Sequence, residues 1–329
     1  MSLIAIEEHW ALPAMRAAVK TLPADRADAS VALDEMGDNL ERLQEIGDAR
    51  IAMMNEQGVD LQILSVAPPG TQPLDVADAV PLSALANDLA AEAVKRHPSR
   101  FRALATLPMP DPVAAVVELE RAADLGFVGV MVYGRTGSTP LDDPRYDDLF
   151  ATAASRQLPV FIHPQIPPHG VREAAYSGFD ETLELGLATF GWGWHLEAAL
   201  AALRLIVRGT LDRHPDLQLV LGHWGELLLF WSDRTDSLSR VAGLDRRVSE
   251  YLRSNVHITS SGMLNPTLLR HALEVTSPDR LLFSTDYPFQ RPSGTEIAEF
   301  LAAFPSDEAR EQFAFENARK LFGIASPTA

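Results

Sequence analysis

The chain has 329 residues, 47% hydrophobic and 22% charged, with no long polar or repetitive tract; this excludes a disordered or fibrous protein and allows a sizeable core. Its 45 acidic and 28 basic side chains give a formal charge of -17, which repels nucleic acid and anionic lipid alike. With no cysteine there are no disulfides, thiolate metal sites or cysteine nucleophiles, so His, Asp and Glu remain as the strong metal ligands.

From the N-terminus onward, short β-branched or apolar runs alternate with stretches of helical period. The runs are LIAI (3–6), LQILSV (61–66), FRALATL (101–107), FVGVMVY (127–133), PVFIH (159–163), LQLVLGH (217–223), NVHITS (255–260) and RLLFSTD (280–286). Eight strands joined by helices predict a (β/α)8 barrel, read here as a single domain over 1–329. PLSALANDLAAEAVKRHP predicts a coating helix whose inward face carries Leu82, Leu85, Leu89 and Ala93, stopped at Pro98. DPVAAVVELERAADLGF predicts another, with Asp111 as N-cap, Pro112 at the first helical position and Gly126 beyond the end. Two stretches interrupt the rhythm, around 10–50 and 164–190, and are expected to form long loops at the active-site mouth. The first residues lack the pattern of a signal peptide and no apolar run reaches 18 residues, so a cytoplasmic protein without membrane contact is expected.

Several strands end in residues that chemistry can use: Glu7 and His9 on the first, His163 on the fifth, His223 on the sixth and Asp286 on the eighth. In a parallel barrel these ends meet on one face. Glu7 and His9 are two apart and share a side of an extended strand, with Glu8 opposite as a bystander. Glu7, His9, His163 and Asp286 form an oxygen and nitrogen donor set suited to one Zn2+ or Mn2+ ion. A lone strand-end His is usually a hydrogen-bonded structural residue; the joint placement carries the metal reading. The three lysines, Lys20, Lys95 and Lys320, all lie in helical stretches, away from any central site.

In GHWGE (222–226) Glu226 follows His223 at the expected start of a helix, where it either orients the imidazole or complements the helix dipole. Arg234, further along that expected helix, is either a surface cation or a contact for an anionic substrate. Tyr133, Phe190, Trp192, Trp194, Trp224 and Phe289 surround the predicted mouth and either line a pocket for a flat molecule or cover the barrel. His97, His214, His257 and His271 read as structural. His169 and His195 stay open between lining the mouth and covering it.

Glu7-Glu8-His9, His163-Pro164, Gly222-His223-Trp224-Gly225-Glu226, Thr259-Ser260-Ser261-Gly262 and Phe283-Ser284-Thr285-Asp286-Tyr287-Pro288-Phe289, with FRALATLPMPDP and the closing NARKLFG, resemble the decarboxylase branch of the amidohydrolase superfamily. That branch includes γ-resorcylate, 2,3-dihydroxybenzoate and 5-carboxyvanillate decarboxylases, with aminocarboxymuconate semialdehyde decarboxylase more distant. The resemblance spans nearly the whole chain. It implies a barrel holding one divalent ion on Glu7, His9, His163 and Asp286, and a metal-dependent, non-oxidative decarboxylase of a small hydroxylated aromatic carboxylate. It also implies Asp286 as proton donor to the ring carbon, His223 with Glu226 as proton-handling pair, Arg234, Tyr133 and Phe289 at the substrate, and a homo-oligomer, dimer or tetramer. Relatives that hydrolyse amides often begin with His-x-His and bridge two metals with a carboxylated lysine on strand four. This chain has Glu-x-His and no lysine there. Tyr133 stands where the γ-resorcylate enzymes carry an amide, and PQIPPHGVREAAYSGF departs in detail, which leaves the particular acid open. The alternative is a mononuclear metal hydrolase, a lactonase or amidohydrolase, that activates water at the same site.

Overall fold

The structure, a computed structural model, describes residues 2–23 and 26–325. Eight parallel strands follow one another in chain order around a barrel: β1 Ile4–Trp10, β2 Leu61–Val66, β3 Phe101–Thr106, β4 Gly129–Tyr133, β5 Val160–His163, β6 Leu219–Leu221, β7 Val256–Thr259 and β8 Leu281–Leu282. Each pairs in parallel with the next. Closure comes from just beyond β8, where the Ile6 amide donates to the Phe283 carbonyl at 3.2 Å and the His9 amide to the Tyr287 carbonyl at 2.7 Å. All eight expected strands are present. The last is two residues long, and beyond it the chain bonds irregularly to both sides, with the Ser284 carbonyl accepting from the Gly262 amide at 2.9 Å as well as the contacts to β1.

The apolar residues form two layers, as strand alternation requires. Ile4, Ile6, Leu61, Ile63, Leu104, Met131, Phe161, Val220 and Leu282 fill the barrel interior. Ala318 of the last helix, Asn317–Leu321, and Phe322 and Ile324 just beyond it pack into the same cluster. The opposite strand faces pack against the coating helices in the larger core. The lower barrel is thus packed with apolar side chains, and a cavity opens at the carboxyl ends of the strands.

The helix expected at DPVAAVVELERAAD spans Pro112–Asp124, with Asp111 accepting from the amides of Val113 and Ala114 at 3.0 Å. The helix before it corrects the expected face. It begins at Val76 and runs to Arg96. Ala79, Ser83, Ala86, Ala90 and Ala93 face inward, while Leu85 and Leu89 are 42% and 41% exposed. Asn87 explains the rotation. Its carbonyl accepts from the Thr106 amide at 2.9 Å, and its amide group donates to the Thr106 carbonyl at 2.9 Å and to Glu118 Oε1 at 2.6 Å. That contact draws the small-residue side onto β3 and leaves Leu85 and Leu89 outside, while Leu82 and Ala93 pack inward as expected.

The two long stretches fold into short helices. Pro13–Lys20, Ala29–Glu35, Asn39–Leu43 and Asp48–Gln57 belong to the first, and His169–Ala175 and Glu181–Ala188 to the second. Among the described residues no helix is long and apolar enough to cross a membrane.

Asn87→Ala, which strands the buried Thr106 amide, is expected to destabilise the fold by about 2–3 kcal/mol. Leu85→Ser on the outer face should stay within about 0.5 kcal/mol of wild type. Denaturant titrations of the two variants measure the difference.

Candidate metal centre

The site begins with a fault in β1. Ile4 and Ile6 point into the barrel, so strict alternation would send Glu8 inward and His9 outward. Ile6 pairs with Ile63 and Glu8 with Leu64, leaving Glu7 as an extra, bulged residue at φ 68°. The bulge resets the phase. His9 then lies beside Ser65 on the inner side, and Glu8 turns outward. Glu7 and His9 come together on one side, as the sequence suggests, but through a bulge rather than an extended run.

Three of the four candidate ligands, Glu7, His9 and His163, are held by a partner on the far side of their group. Glu7 Oε2 accepts from Thr259 Oγ1 at 3.0 Å, from Ser284 Oγ at 3.3 Å and from Ser261 Oγ. Its Oε1 is buried and has no hydrogen-bond partner. His9 Nδ1 meets Ser65 Oγ at 3.1 Å, and His9 Nε2 is likewise buried without a hydrogen bond. The Pro164 carbonyl can only accept, so His163 Nδ1 carries the hydrogen of their 2.8 Å contact and Nε2 presents its lone pair. His163 Nε2 lies 3.7 Å from Glu7 Oε1, and His9 Nε2 lies 3.3 Å from Asp286 Oδ1. Glu7, His9, His163 and Asp286 each offer an atom within 4.8 Å of the others. Two buried atoms with no protein partner, in a set of two carboxylates and two imidazoles, fit a divalent cation.

Electrostatics agree with that fit. Burial pushes Glu7 up to about 8 and Asp286 up to about 7; the charge of His223 opposes both rises. Burial lowers His9 to about 3 and holds His163 well below its usual range, so both rings are neutral, as a ligand must be. His223 differs. Burial lowers it, yet the charge and hydrogen bond of Glu226 outweigh that and raise it to about 10. Burial raises Glu226, but His223 and His195 bring it down to about 2.

His223 and Glu226 do not begin a helix. His223, Trp224, Gly225, Glu226 and Leu227 all have positive φ, and this left-handed turn folds Glu226 back so that Oε1 meets His223 Nδ1 at 2.8 Å. His223 Nε2 then stands 4.0 Å from Asp286 Oδ2. Of the eight non-glycine residues with positive φ among the described residues, seven lie at this mouth: Glu7, His223, Trp224, Glu226, Leu227, Ser261 and Asp286. Such strain, about 1–3 kcal/mol per residue, concentrates where function needs a fixed geometry. Gly222 is required here for space. A Cβ would lie 2.9 Å from Glu7 Oε1 and Ser261 Oγ and 3.1 Å from Glu226 Oε1.

A cavity of about 590 Å³ opens above these groups, with Phe190, Trp192, Trp194 and Phe289 among its walls and His163, His195, His223, Glu226 and Asp286 at its base. Two expected substrate contacts are not part of it. Tyr133 is buried behind His163, its hydroxyl donating to the Val66 carbonyl at 3.2 Å and its ring against Gly70. Arg234 is exposed on the short helix Ser232–Thr235, beyond the left-handed turn rather than on one helix continuous with His223. Trp224 also turns away, stacking near Phe300 and Phe313. His169 is outside, paired with Glu173 at 3.3 Å. His195 is inside.

Glu8 is no bystander. It is fully buried, accepting from the Thr285 amide at 2.9 Å, Thr285 Oγ1 at 2.6 Å and Gln62 at 3.0 Å, and so ties β1 to the residue before Asp286. Arg50, also buried, donates to the His9 carbonyl and stacks 4.7 Å over Tyr287. These supports and the Thr259, Ser261 and Ser284 hydroxyls were not assigned by the sequence reading; the polar residues in TSSG and FSTD, set at strand ends, were the available signal.

A family profile described as Amidohydrolase matches residues 6–324. The γ-resorcylate decarboxylase of Rhizobium radiobacter is 36% identical over 337 residues, covering 98% of each chain. The structure of 5-carboxyvanillate decarboxylase from Sphingomonas paucimobilis matches with a TM-score of 0.90 at 31% identity, over 98% of this chain and 99% of that one. A dihydroxybenzoic acid decarboxylase from Polaromonas, with bound manganese and the inhibitor 2-nitroresorcinol, matches with a TM-score of 0.83 at 31% identity, over 99% and 98%. These relatives carry decarboxylase activities, which supports the decarboxylase reading and not the hydrolase alternative.

Between pH 7 and 8 the folded, metal-free chain holds protons on Glu7, Glu8 and His223 that the unfolded chain has already released, since burial raises both carboxyls to about 8 and Glu226 outweighs burial to raise His223 to about 10. His9 and His163, neutral in both states by then, contribute no slope. Stability of the metal-free protein should therefore fall with rising pH across this window, by about 1 kcal/mol per retained proton per unit. Melting of chelator-treated protein at pH 7 and 8, with and without added Mn2+, measures this; the metal should raise the melting temperature more at pH 8. Separately, Gly222→Ala should lower bound metal roughly tenfold or more by elemental analysis, through displacement of Glu7.

Proposed function

The chain belongs to the amidohydrolase family and is a metal-dependent decarboxylase of a hydroxylated aromatic acid; we propose that Glu7, His9, His163 and Asp286 hold its ion. The observation that carries this assignment is the pair of buried, unpartnered atoms, Glu7 Oε1 and His9 Nε2, facing the same point as Asp286. A divalent ion bound there supplies Lewis acidity and a template for the substrate carboxylate and its ortho oxygen. Manganese is the ion we favour, since two carboxylates and two imidazoles without a thiolate suit it and relatives contain it; zinc fits the same donors.

The chain's own residues then divide the work. Phe289 and Trp194 provide apolar walls for a flat ring, and a water-poor slot strengthens every charge interaction within it. Asp286 Oδ1 faces His9 while Oδ2 faces His223, so one carboxyl serves two neighbours. With Oδ1 on the side of the proposed ion, Oδ2 on the His223 side is the oxygen placed to carry a proton, as a general acid requires. Asp286 gives its proton to the ring carbon bearing the carboxylate. The bond to the carboxylate then breaks, its electron pair restores the aromatic ring, and carbon dioxide leaves. His223, held as a cation by Glu226, is the near group able to return a proton to Asp286.

A homo-oligomer is part of the proposal, supported by Phe230 and Trp231, which are 71% and 58% exposed beside Arg234. A cytoplasmic setting is likewise part of the proposal.

Manganese-loaded protein should release carbon dioxide from a hydroxybenzoate in a panel that also contains lactones. Asp286→Asn should lower that rate by about 10²–10⁴, measured per bound metal so that lost ligation is separated from lost proton transfer. Turnover of the best benzoate undiminished in Asp286→Asn would remove Asp286 as the donor, and lactone hydrolysis alone would remove the decarboxylase reading.

A further inference from the structure

His195 has no role in the scheme above, yet it occupies the base of the cavity. It sits near the start of the helix Gly193–Val207, with its ring centroid 4.6 Å from that of His223. Its Nδ1 lies 2.6 Å from Glu226 Oε2, and its Nε2 lies 3.0 Å from the Phe190 carbonyl. A carbonyl oxygen can only accept, so Nε2 carries a hydrogen. A second hydrogen must then lie between Nδ1 and Oε2, since two lone pairs do not meet at 2.6 Å. Glu226 Oε1 is already taken by His223 Nδ1 at 2.8 Å.

Both oxygens of one buried carboxylate are therefore held by imidazoles from two different elements. With a single partner the carboxylate could rotate about its last bond, and the His223 ring could follow. With both oxygens engaged it cannot. The chain of contacts runs from the Phe190 carbonyl through His195 and Glu226 to His223, whose free Nε2 faces Asp286 at 4.0 Å. His195, His223 and Glu226 also lie close enough to share a cation. The hydrogen bonds speak against one, because both Nδ1 atoms are spent on Glu226 and His195 Nε2 is spent on Phe190.

We propose that His195 is a positioning residue for decarboxylation, clamping Glu226 so that His223 keeps its Nε2 toward Asp286 and the reacting ring. The inference rests on the reading of His223 and Glu226 as the proton-handling pair. It also couples the mouth segment around Phe190 to that pair, so the same contact that shapes the cavity rim orients the group at its base.

The test is steady-state decarboxylation by the metal-loaded, full-length protein with its best hydroxybenzoate. His195→Ala should lower kcat roughly 10- to 100-fold, the usual cost of losing an orienting partner, with KM within about threefold of wild type and metal content unchanged. His195→Gln, whose amide N–H can still donate to Glu226 Oε2, should recover most of kcat, while His195→Phe, which keeps the ring but no donor, should not. This second pair decides the matter if His195→Ala does not fold. Adding His195→Ala to Glu226→Gln should cost at most about twofold beyond Glu226→Gln alone, because both act through one contact. Wild-type kcat in His195→Ala, equal rates for the Gln and Phe variants, or losses that multiply in the double variant would each overturn the clamp. Glu226→Gln at wild-type kcat would instead overturn the proton-handling pair itself, a result distinct from failure of His195 alone.

Discussion

Glu7 is wholly buried, with three hydroxyls on one carboxylate oxygen and none on the other, and most of the upper barrel is arranged around that asymmetry. An ionised carboxylate away from water costs several kcal/mol unless it is paired. Here hydrogen bonds satisfy half of the group, and a cation is the natural complement of the rest. Thr259, Ser261 and Ser284 come from β7 and the segments after β7 and β8, so orienting one side chain fixes the mutual position of three neighbouring parts of the barrel. Ser261 also accepts from the His223 amide at 2.8 Å, which anchors the left-handed turn to the same hydroxyl. The proposed metal ligands and the proposed proton-handling pair are therefore mechanically joined through one hydroxyl.

The lower barrel makes this arrangement tolerable. Apolar side chains pack it together with Ala318, Phe322 and Ile324, and burial of that apolar surface offsets the strain and desolvation gathered at the mouth. The left-handed residues are confined to strand ends and loops, where they disturb no ladder except that of β1. Function is concentrated at one end of the molecule because the other end is free to be an ordinary core.

The strands and the four candidate ligands could be read from the chain, because buried strands alternate with helices at recognisable periods and polar residues at strand ends stand out against an apolar background. What could not be read depended on contacts distant in sequence. The inward face of the helix Val76–Arg96 is chosen by Asn87 meeting Thr106, not by Leu85 and Leu89. Glu8 looks like the solvent side of a strand until Thr285 and Gln62 are placed beside it. His223 to Leu227 reads as the start of a helix, but it folds as a left-handed turn whose His223–Glu226 hydrogen bond depends on the three-dimensional site, and Arg234 beyond it lies on the surface. Tyr133 ends its strand as expected, but the neighbouring Gly70 lets its ring tuck behind His163 rather than into the cavity.

The bulge at Glu7 has a genetic consequence. Because β1 changes phase at a single residue, the metal site is specified by the number of residues between Ile6 and Trp10 as much as by their identity. Loss of one codon in that interval would remove the extra residue that makes the bulge: alternation would become regular with His9 still inward, and the bulged position that presents Glu7 would be gone, even if every remaining side chain were one the site can use. The motif is a reading frame in three dimensions, and within this strand a change of length is a more severe mutation than most changes of residue.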